Sequence, residues 1–182
     1  MTADEGQSLF LWQTLQELGP ETLPYRIPVL GTRCEIALRS GERIHVWRAG
    51  DGREFFCHGL TFGGNLAPGG AISPFGGPPV EAILREFYDL VPNEGDAEAG
   101  DILVWRGMPG SPEGTTPHSA TLTAVGWSRG LNRLDGRTTL LQTKNGLLPE
   151  ANLTLDELFV LYGETYDIYR RRPRAPDAET QQ

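Results

Sequence analysis

The chain of 182 residues has few cysteines, fewer basic than acidic residues and no long apolar run. These shortages argue against disulfide-rich, nucleic-acid-binding and membrane-spanning proteins. It has two cysteines, Cys34 and Cys57, which allow one bridge at most and cannot build a disulfide framework. Basic residues number 16 against 24 acidic ones, and the resulting net charge of −8 argues against a protein that binds nucleic acid through phosphate contacts. No apolar run approaches the ~18 residues of a membrane span, so we expect no membrane partner.

Metal-ligand spacing is also missing from the sequence. Cys57 and His58 are adjacent rather than spaced, and Cys34 and His45 lie far upstream with no CxxC or HxxxH pair nearby. We therefore predict no metal site, and no motif indicates a cofactor.

The N-terminal residues, MTADEGQSLFLW, are acidic where a signal peptide would be basic, and no apolar core region follows them. We expect a cytoplasmic protein, or one that is exported by a route without a classical signal peptide.

Hydrophobic periodicity predicts an α+β fold in one domain over residues 1–170, followed by a flexible tail at 171–182. The predicted helices cover 8–18, 80–90 and the stretch from Thr154, where a capping box with Glu157 begins, to Leu161. The predicted strands are 34–39, 43–48, 54–57, 102–105, 118–125, 138–143 and 164–170, of which the first three form a meander.

Residues 58–79 hold seven glycines and four prolines, a composition that is also seen in flexible linkers. A linker has no use for apolar side chains, yet this segment carries Leu60, Phe62, Ile72 and Phe75. We therefore interpret it as an ordered loop around a site, with these four side chains packed inward.

The order of four polar residues along the chain is compatible with a cysteine nucleophile, a histidine base and a polar residue that orients the base. Cys57 comes first, His118 opens a predicted strand, and Gln142 and Asn145 lie at the end of the next one. A cysteine nucleophile needs a base within hydrogen-bond reach, and that base needs a polar group to orient its ring. A helix N-terminus would suit the cysteine, because the helix dipole and free amides lower a thiol pKa and bind an oxyanion. Gly59 would let a substrate carbonyl approach the backbone closely.

Four segments of the sequence resemble the NlpC/P60 superfamily of papain-like cysteine peptidases and amidases. They are CHGL at 57–60, GDILVW at 100–105, HSATL at 118–122 and LQTKNG at 141–146. The resemblance covers about residues 50–170, which leaves the N-terminal helix and hairpin at 8–48 as additions. The chain departs from the family pattern at Phe56, where the family has a polar residue, and at Gly63-Gly64, where a long helix would continue.

The resemblance implies a papain-like core in which a helix bearing Cys57 packs on an antiparallel sheet bearing His118. It also implies a bacterial thiol-dependent hydrolase that cleaves an amide or peptide bond, with Cys57 as the nucleophile and His118 as the general base. The third catalytic residue is Asn145 or Gln142. The implied substrate is a peptide, and peptidoglycan stem peptides are the family's commonest one; deamidation and acyl transfer occur on related folds.

A structural interpretation of the same residues stands beside the catalytic one. A lone cysteine is often a small, inert core residue, and His118 could be a buried histidine with satisfied hydrogen bonds. His58 could tune the neighbouring thiolate, although a structural role fits it better. The competing function is accordingly a non-catalytic interaction module that keeps the scaffold.

Overall fold

In the part of the chain that the computed structural model describes, two antiparallel sheets and three short α-helices form an α+β fold. The structure describes residues 15–23, 28–67, 70–107 and 115–173. The first sheet has four strands in the order β1-β2-β3-β4, and the second has six in the order β5-β10-β6-β7-β8-β9.

The four-stranded sheet is built from the N-terminal part of the chain. Its strands are β1 (Leu15–Leu23), β2 (Val29–Ala37), β3 (Arg43–Ala49) and β4 (Ile72–Pro74). The predicted hairpin is confirmed, because β2 and β3 pair across the Ser40-Gly41 turn with Ile36 opposite Ile44. The Glu86 carboxylate accepts hydrogen bonds from the backbone amides of Arg39 and Ser40. These bonds hold the turn against the helix Pro78–Phe87.

The six-stranded sheet carries most of the residues singled out from the sequence. Its strands are β5 (Tyr88–Val91), β6 (Ile102–Trp105), β7 (Ser119–Ala124), β8 (Leu140–Lys144), β9 (Glu150–Thr154) and β10 (Tyr166–Arg171). The predicted strands at 102–105, 118–125, 138–143 and 164–170 are confirmed as β6, β7, β8 and β10 with small shifts at their ends. Arg170 joins this sheet to the Gly100-Asp101 turn through an ion pair with the buried Asp101 carboxylate at 2.8 Å.

Three helices connect and cover the sheets: α1 (Cys57–Thr61), α2 (Pro78–Phe87) and α3 (Leu155–Tyr162). Prolines occupy the first turn of α2, where a missing amide hydrogen costs nothing. Thr154 and Glu157 form the predicted capping box at the start of α3. Among the described helices, none is long and apolar enough to cross a bilayer.

Two large buried clusters lie on opposite faces of the six-stranded sheet. Ile102 and Val104 of β6 belong to the first cluster, together with α2 and the four-stranded sheet. Leu103 and Trp105 belong to the second cluster, which α3 covers. Because side chains alternate along a strand, each residue of β6 to β8 faces one cluster or the other. This alternation decides which predicted site residues can meet.

Two sequence predictions about the N-terminal half are wrong. The helix predicted over 8–18 is contradicted where it is described, since Leu15 begins β1 and pairs with Ile36; residues 8–14 lie outside the described part. The strand predicted over 54–57 is also wrong, because Cys57 starts a helix and β4 takes the place beside β3. The predicted tail falls mostly outside the described residues, although Arg171 still belongs to β10.

Candidate functional site

Cys57 is the first residue of α1, in agreement with the expectation that it opens a helix. The backbone amide of Phe56 donates to the buried Ser73 hydroxyl at 2.9 Å, which fixes the start of α1 to β4. The helix has one turn and a half, because Gly63 adopts a left-handed backbone (φ 75°) that ends it. The short α1 agrees with the halt expected at Gly63-Gly64.

Gly59 lies where α1 packs closely on β4. A Cβ atom at this position would lie 2.6 Å from Ser73 Oγ and 2.8 Å from the Ile72 carbonyl oxygen. The glycine thus permits close contact between α1 and β4, and the approach of a substrate carbonyl at Gly59 stays a prediction. Because Gly59 lets α1 pack closely on β4, it helps to position Cys57 at the start of α1.

The Cys57 thiol is buried beside the start of β7. Burial raises its pKa to about 11, while the backbone amides of Ser119, His58 and Cys57 itself act in the opposite direction. The ladder between β7 and β8 ends at the pair Thr121–Gln142, so the Ser119 amide that faces the sulfur lies beyond the part of β7 that pairs with β8, although Ser119 still pairs with Val104 of β6. The surroundings of Sγ therefore combine a low-polarity site with amide donors that favour a developing negative charge.

His118 lies immediately before β7 and is 1% exposed. Its ring stacks on Tyr162 of α3 with centroids 3.9 Å apart, and Trp105 packs on it at 5.4 Å. Burial, together with the charge that His58 would carry, lowers the pKa of His118 to about 3. His118 is therefore neutral near pH 7. Among the described residues, no hydrogen bond joins its ring to the Cys57 thiol.

The polar partner of His118 is Thr143, whose Oγ1 lies 2.7 Å from Nε2. Neither of the two predicted partners bonds the ring. Gln142 donates to Glu150 at 3.2 Å, and Asn145 accepts a hydrogen bond from the Tyr162 hydroxyl at 2.9 Å. Asn145 thus acts on the ring only through the tyrosine that stacks on it.

Strand alternation explains this outcome. Ala120 and Leu122 belong to the cluster that α3 covers, and His118 packs on the same face, as its contact with Tyr162 shows. On β8 the residues that face α3 are Leu141 and Thr143, whereas Gln142 faces the opposite way. Once packing on Tyr162 shows that His118 faces α3, strand alternation selects Thr143 rather than Gln142, which lies one position away on the other face.

His58 joins three parts of the chain around the thiol. Its Nε2 lies 2.9 Å from the Thr116 carbonyl oxygen and its Nδ1 lies 2.8 Å from Ser119 Oγ. Burial lowers the pKa of His58 to about 4, so the ring is neutral near pH 7. Since a carbonyl can only accept, Nε2 carries the proton and Nδ1 accepts from the Ser119 hydroxyl. His58 therefore has a structural role, and its tautomer is fixed by the backbone.

A cavity of about 360 Å³ opens beside Cys57. Its described lining consists of Phe56, Cys57, His58, Pro74, Phe75, Gly76, Thr115, Thr116 and Pro117. The glycine-rich segment supplies one wall and the residues before β7 supply the other. A Cβ atom on Gly76 would lie 2.3 Å from the Thr116 carbonyl oxygen, so the two walls touch at this glycine.

The inward packing predicted for the glycine-rich segment is confirmed at two of its apolar positions. Phe62 and Ile72 are fully buried, and Leu60 is half-buried. Phe75 contradicts the prediction, because it is 36% exposed at the rim of the cavity.

A second cavity of about 320 Å³ lies between α1 and the six-stranded sheet, and Gln142 lines it together with Thr61 and Thr121. Gln142 is thus separated from His118 by the sheet itself. Within the described ranges, no group of three or more His, Cys, Asp or Glu side chains is arranged to hold a metal ion.

Comparison with known proteins finds no match to a family model, a curated protein or a solved structure.

Proposed function

We propose that the protein is a thiol-dependent hydrolase of an amide or peptide bond, built on an NlpC/P60-like papain-like core. Cys57 is the nucleophile and His118 the general base. The observation that carries the proposal is the position of the Cys57 thiol at the start of α1, beside the Ser119 amide and at the wall of a cavity. The helix that bears the cysteine packs on the Ser119 face of β7, the strand that follows the histidine, whereas the His118 ring packs against α3.

The first step is attack of the Cys57 sulfur on the substrate carbonyl carbon. A carbon–sulfur bond forms, the thiol proton moves to His118, and the carbonyl oxygen becomes an oxyanion near the backbone amides of Cys57 and Ser119. His118 then gives the proton to the leaving amine as the carbon–nitrogen bond breaks. Water hydrolyses the resulting thioester and regenerates the thiol.

The neutral ring of His118 fits this general-base route. A resting thiolate–imidazolium pair is disfavoured, because the thiol pKa is about 11 and the imidazole pKa about 3. Proton transfer must therefore accompany attack. In the tautomer in which Nε2 donates to Thr143, Nδ1 is the basic nitrogen of the ring.

Thr143 takes the place of the third catalytic residue that the sequence assigned to Asn145 or Gln142. Its hydroxyl can donate or accept, so it holds the ring in place but does not impose one tautomer as an amide oxygen or a carboxylate would. We expect a slower enzyme than one with a carboxylate at this position.

The test is formation of an acyl-enzyme with p-nitrophenyl acetate at about pH 8, followed by intact-protein and peptide mass spectrometry. We expect a gain of one acetyl group on Cys57, a burst of nitrophenolate, and loss of both in Cys57→Ala. Cys34→Ala is the matched control, because Cys34 is a buried thiol whose pKa is also raised by burial. Acetylation that persists in Cys57→Ala, or that never reaches Cys57, overturns the proposal.

A second candidate, a non-catalytic interaction module, is favoured by one observation: both Cys57 and His118 are held in their neutral forms by burial. This candidate expects Cys57 to show the same alkylation profile with iodoacetamide in His118→Phe as in the unaltered protein. The hydrolase expects alkylation of Cys57 to slow in that variant.

A further inference from the structure

The cavity beside Cys57 is lined by aromatic rings and prolines on the side of the glycine-rich segment. Phe56 and Phe75 lie with ring centroids 5.9 Å apart, and Trp47 packs behind Phe56 at 5.2 Å. Trp47 and Phe56 are almost fully buried, so this wall is backed by a packed core. Pro74 and Pro117 complete the apolar part of the lining. A wall of this kind is preformed and does not depend on mobile side chains.

The polar groups that line the cavity are engaged within the protein. His58 uses both ring nitrogens, one toward the Thr116 carbonyl and the other toward Ser119. The Thr116 hydroxyl accepts the Gly77 amide at 2.6 Å. The nine described lining residues include no Asp, Glu, Lys or Arg. A charged group placed against them would lose its hydration and gain no partner of opposite charge.

The size of the cavity limits what it can hold. At about 360 Å³ it lies at the lower end of small-molecule pockets, which span roughly 300–1,000 Å³. It has room for one side chain of a peptide with its neighbouring backbone. Its position next to the sulfur makes it the place for the residue whose carbonyl Cys57 attacks, or for the residue directly beside it.

From this lining we propose that the substrate presents an uncharged, apolar side chain of aromatic size to the cavity, and that Phe75 is a specificity-determining residue for it. The inference rests on the proposed function of Cys57. It narrows the peptide substrates implied by the sequence to those with an apolar acyl residue, and it disfavours acyl residues that carry a carboxylate. Phe75 is the residue to alter, because it is the exposed end of the aromatic wall whereas Phe56 is part of the core.

Alkylation of Cys57 by two peptide-like electrophiles tests the proposal. N-acetyl-phenylalanyl chloromethyl ketone and N-acetyl-glutamyl chloromethyl ketone differ only in the side chain they present, and iodoacetamide presents none. The rate at Cys57 is followed by peptide mass spectrometry, and each rate is divided by the iodoacetamide rate of the same variant. We expect the phenylalanyl probe to exceed the glutamyl probe by about tenfold or more.

Variants at the rim make the test specific to the cavity. Phe75→Ala should reduce the preference for the phenylalanyl probe several-fold, and Phe75→Lys should shift it toward the glutamyl probe. Leu131→Ala is the control, because Leu131 is an exposed apolar residue (66%) that does not line the cavity, and it should keep the preference of the unaltered protein.

The outcomes separate the two proposals. Equal relative rates for both probes, or a preference that Phe75→Lys leaves unchanged, overturn the apolar substrate class and leave the hydrolase standing. Failure of every electrophile to reach Cys57, iodoacetamide included, overturns the hydrolase and with it the inference.

Discussion

The two buried histidines beside the cavity differ in what holds their rings. His58 is fixed between a backbone carbonyl and the Ser119 hydroxyl, so both of its nitrogens are engaged and its tautomer is determined. Within the described residues, the His118 ring has one hydrogen bond, to Thr143, and it stacks on Tyr162. A ring held by stacking keeps a nitrogen available for proton transfer, whereas a ring held at both nitrogens cannot take a proton without breaking a hydrogen bond.

Under the proposed function, the comparison teaches that nearness to the cysteine in sequence does not select the base. His58 is adjacent to Cys57, but its Nδ1 lone pair already receives the Ser119 hydroxyl. His118 is distant in sequence, yet it precedes the residue whose amide faces the sulfur. The following predictions test this division of roles.

The largest expected effect is on acylation. His118→Phe keeps the ring volume and the stacking on Tyr162 but removes the basic nitrogen, so acylation of Cys57 by p-nitrophenyl acetate should fall by about 10²–10⁴-fold. Burst kinetics measure the rate, and circular dichroism checks that the variant is folded. A fall of less than threefold would assign the base to another group.

The next largest effect is on stability. His58→Phe leaves the Thr116 carbonyl and the Ser119 hydroxyl buried without the ring that they bond, which should lower the free energy of unfolding by about 2–5 kcal/mol. His45→Phe is the control, since the His45 side chain is half exposed on β3 and its replacement should change the value by less than about 0.5 kcal/mol. Urea denaturation measures both, and equal values would contradict the structural role of His58.

The pH dependence of stability should differ between the protein and its His58→Phe variant. Burial lowers the pKa of His58 from 6.5 to about 4 in the folded state, so between these values the unfolded chain binds a proton that the folded chain does not. Stability due to neutral His58 is therefore present above about pH 6.5 and is lost as the pH falls toward 4, by roughly 3 kcal/mol in total. Urea denaturation at about pH 7 and pH 4.5 should show a steeper loss in the unaltered protein, and parallel losses would contradict the pKa shift.

The smallest expected effect concerns the orientation of His118. Thr143→Val removes the hydroxyl that bonds Nε2 and keeps the side-chain shape, so acylation of Cys57 should slow by about tenfold. Gln142→Ala should change acylation by less than about twofold, because Gln142 bonds Glu150 on the other face of the sheet. If Gln142→Ala has the larger effect, the sequence-based assignment was correct and the assignment of Thr143 is wrong.

Local signals in the sequence were enough for most of the six-stranded sheet and for α2 and α3. The run Ile102–Trp105 is apolar without interruption because it is buried on both faces, and the capping box at Thr154 depends only on residues within one turn. Such features are decided by short stretches of chain. They could be predicted because no distant contact competes with them.

Features that depend on distant partners could not be predicted in this way. Leu15 and Leu18 have helical spacing, yet they lie in β1, where backbone pairing with β2 decides the conformation and Leu18 stays 45% exposed. Cys57 ends a run of aromatic residues typical of a strand, but the Ser73 hydroxyl binds the Phe56 amide and starts a helix there. In both cases the deciding hydrogen bond comes from a later part of the chain.

The sequence indicated where Cys57 and His118 lie along the chain, but it did not indicate which side chain bonds the His118 ring. The family resemblance implied the helix start at Cys57, against the strand predicted locally over 54–57, and the strand near His118 was predicted from its pattern, whereas no pattern indicated Thr143. The alternation of β7 and β8 contained the information needed. It required knowing that His118 faces α3, and this follows from packing with Tyr162 rather than from the local sequence.

The short helix α1 affects how the protein unfolds. It is attached to the four-stranded sheet where Gly59 and Phe56 meet Ser73, and to the six-stranded sheet where His58 meets Ser119. Both sheets therefore bind α1. Unfolding of either sheet removes one of the two attachments that position Cys57. We expect one melting transition rather than two in calorimetry, and we expect neither sheet to fold as an isolated fragment.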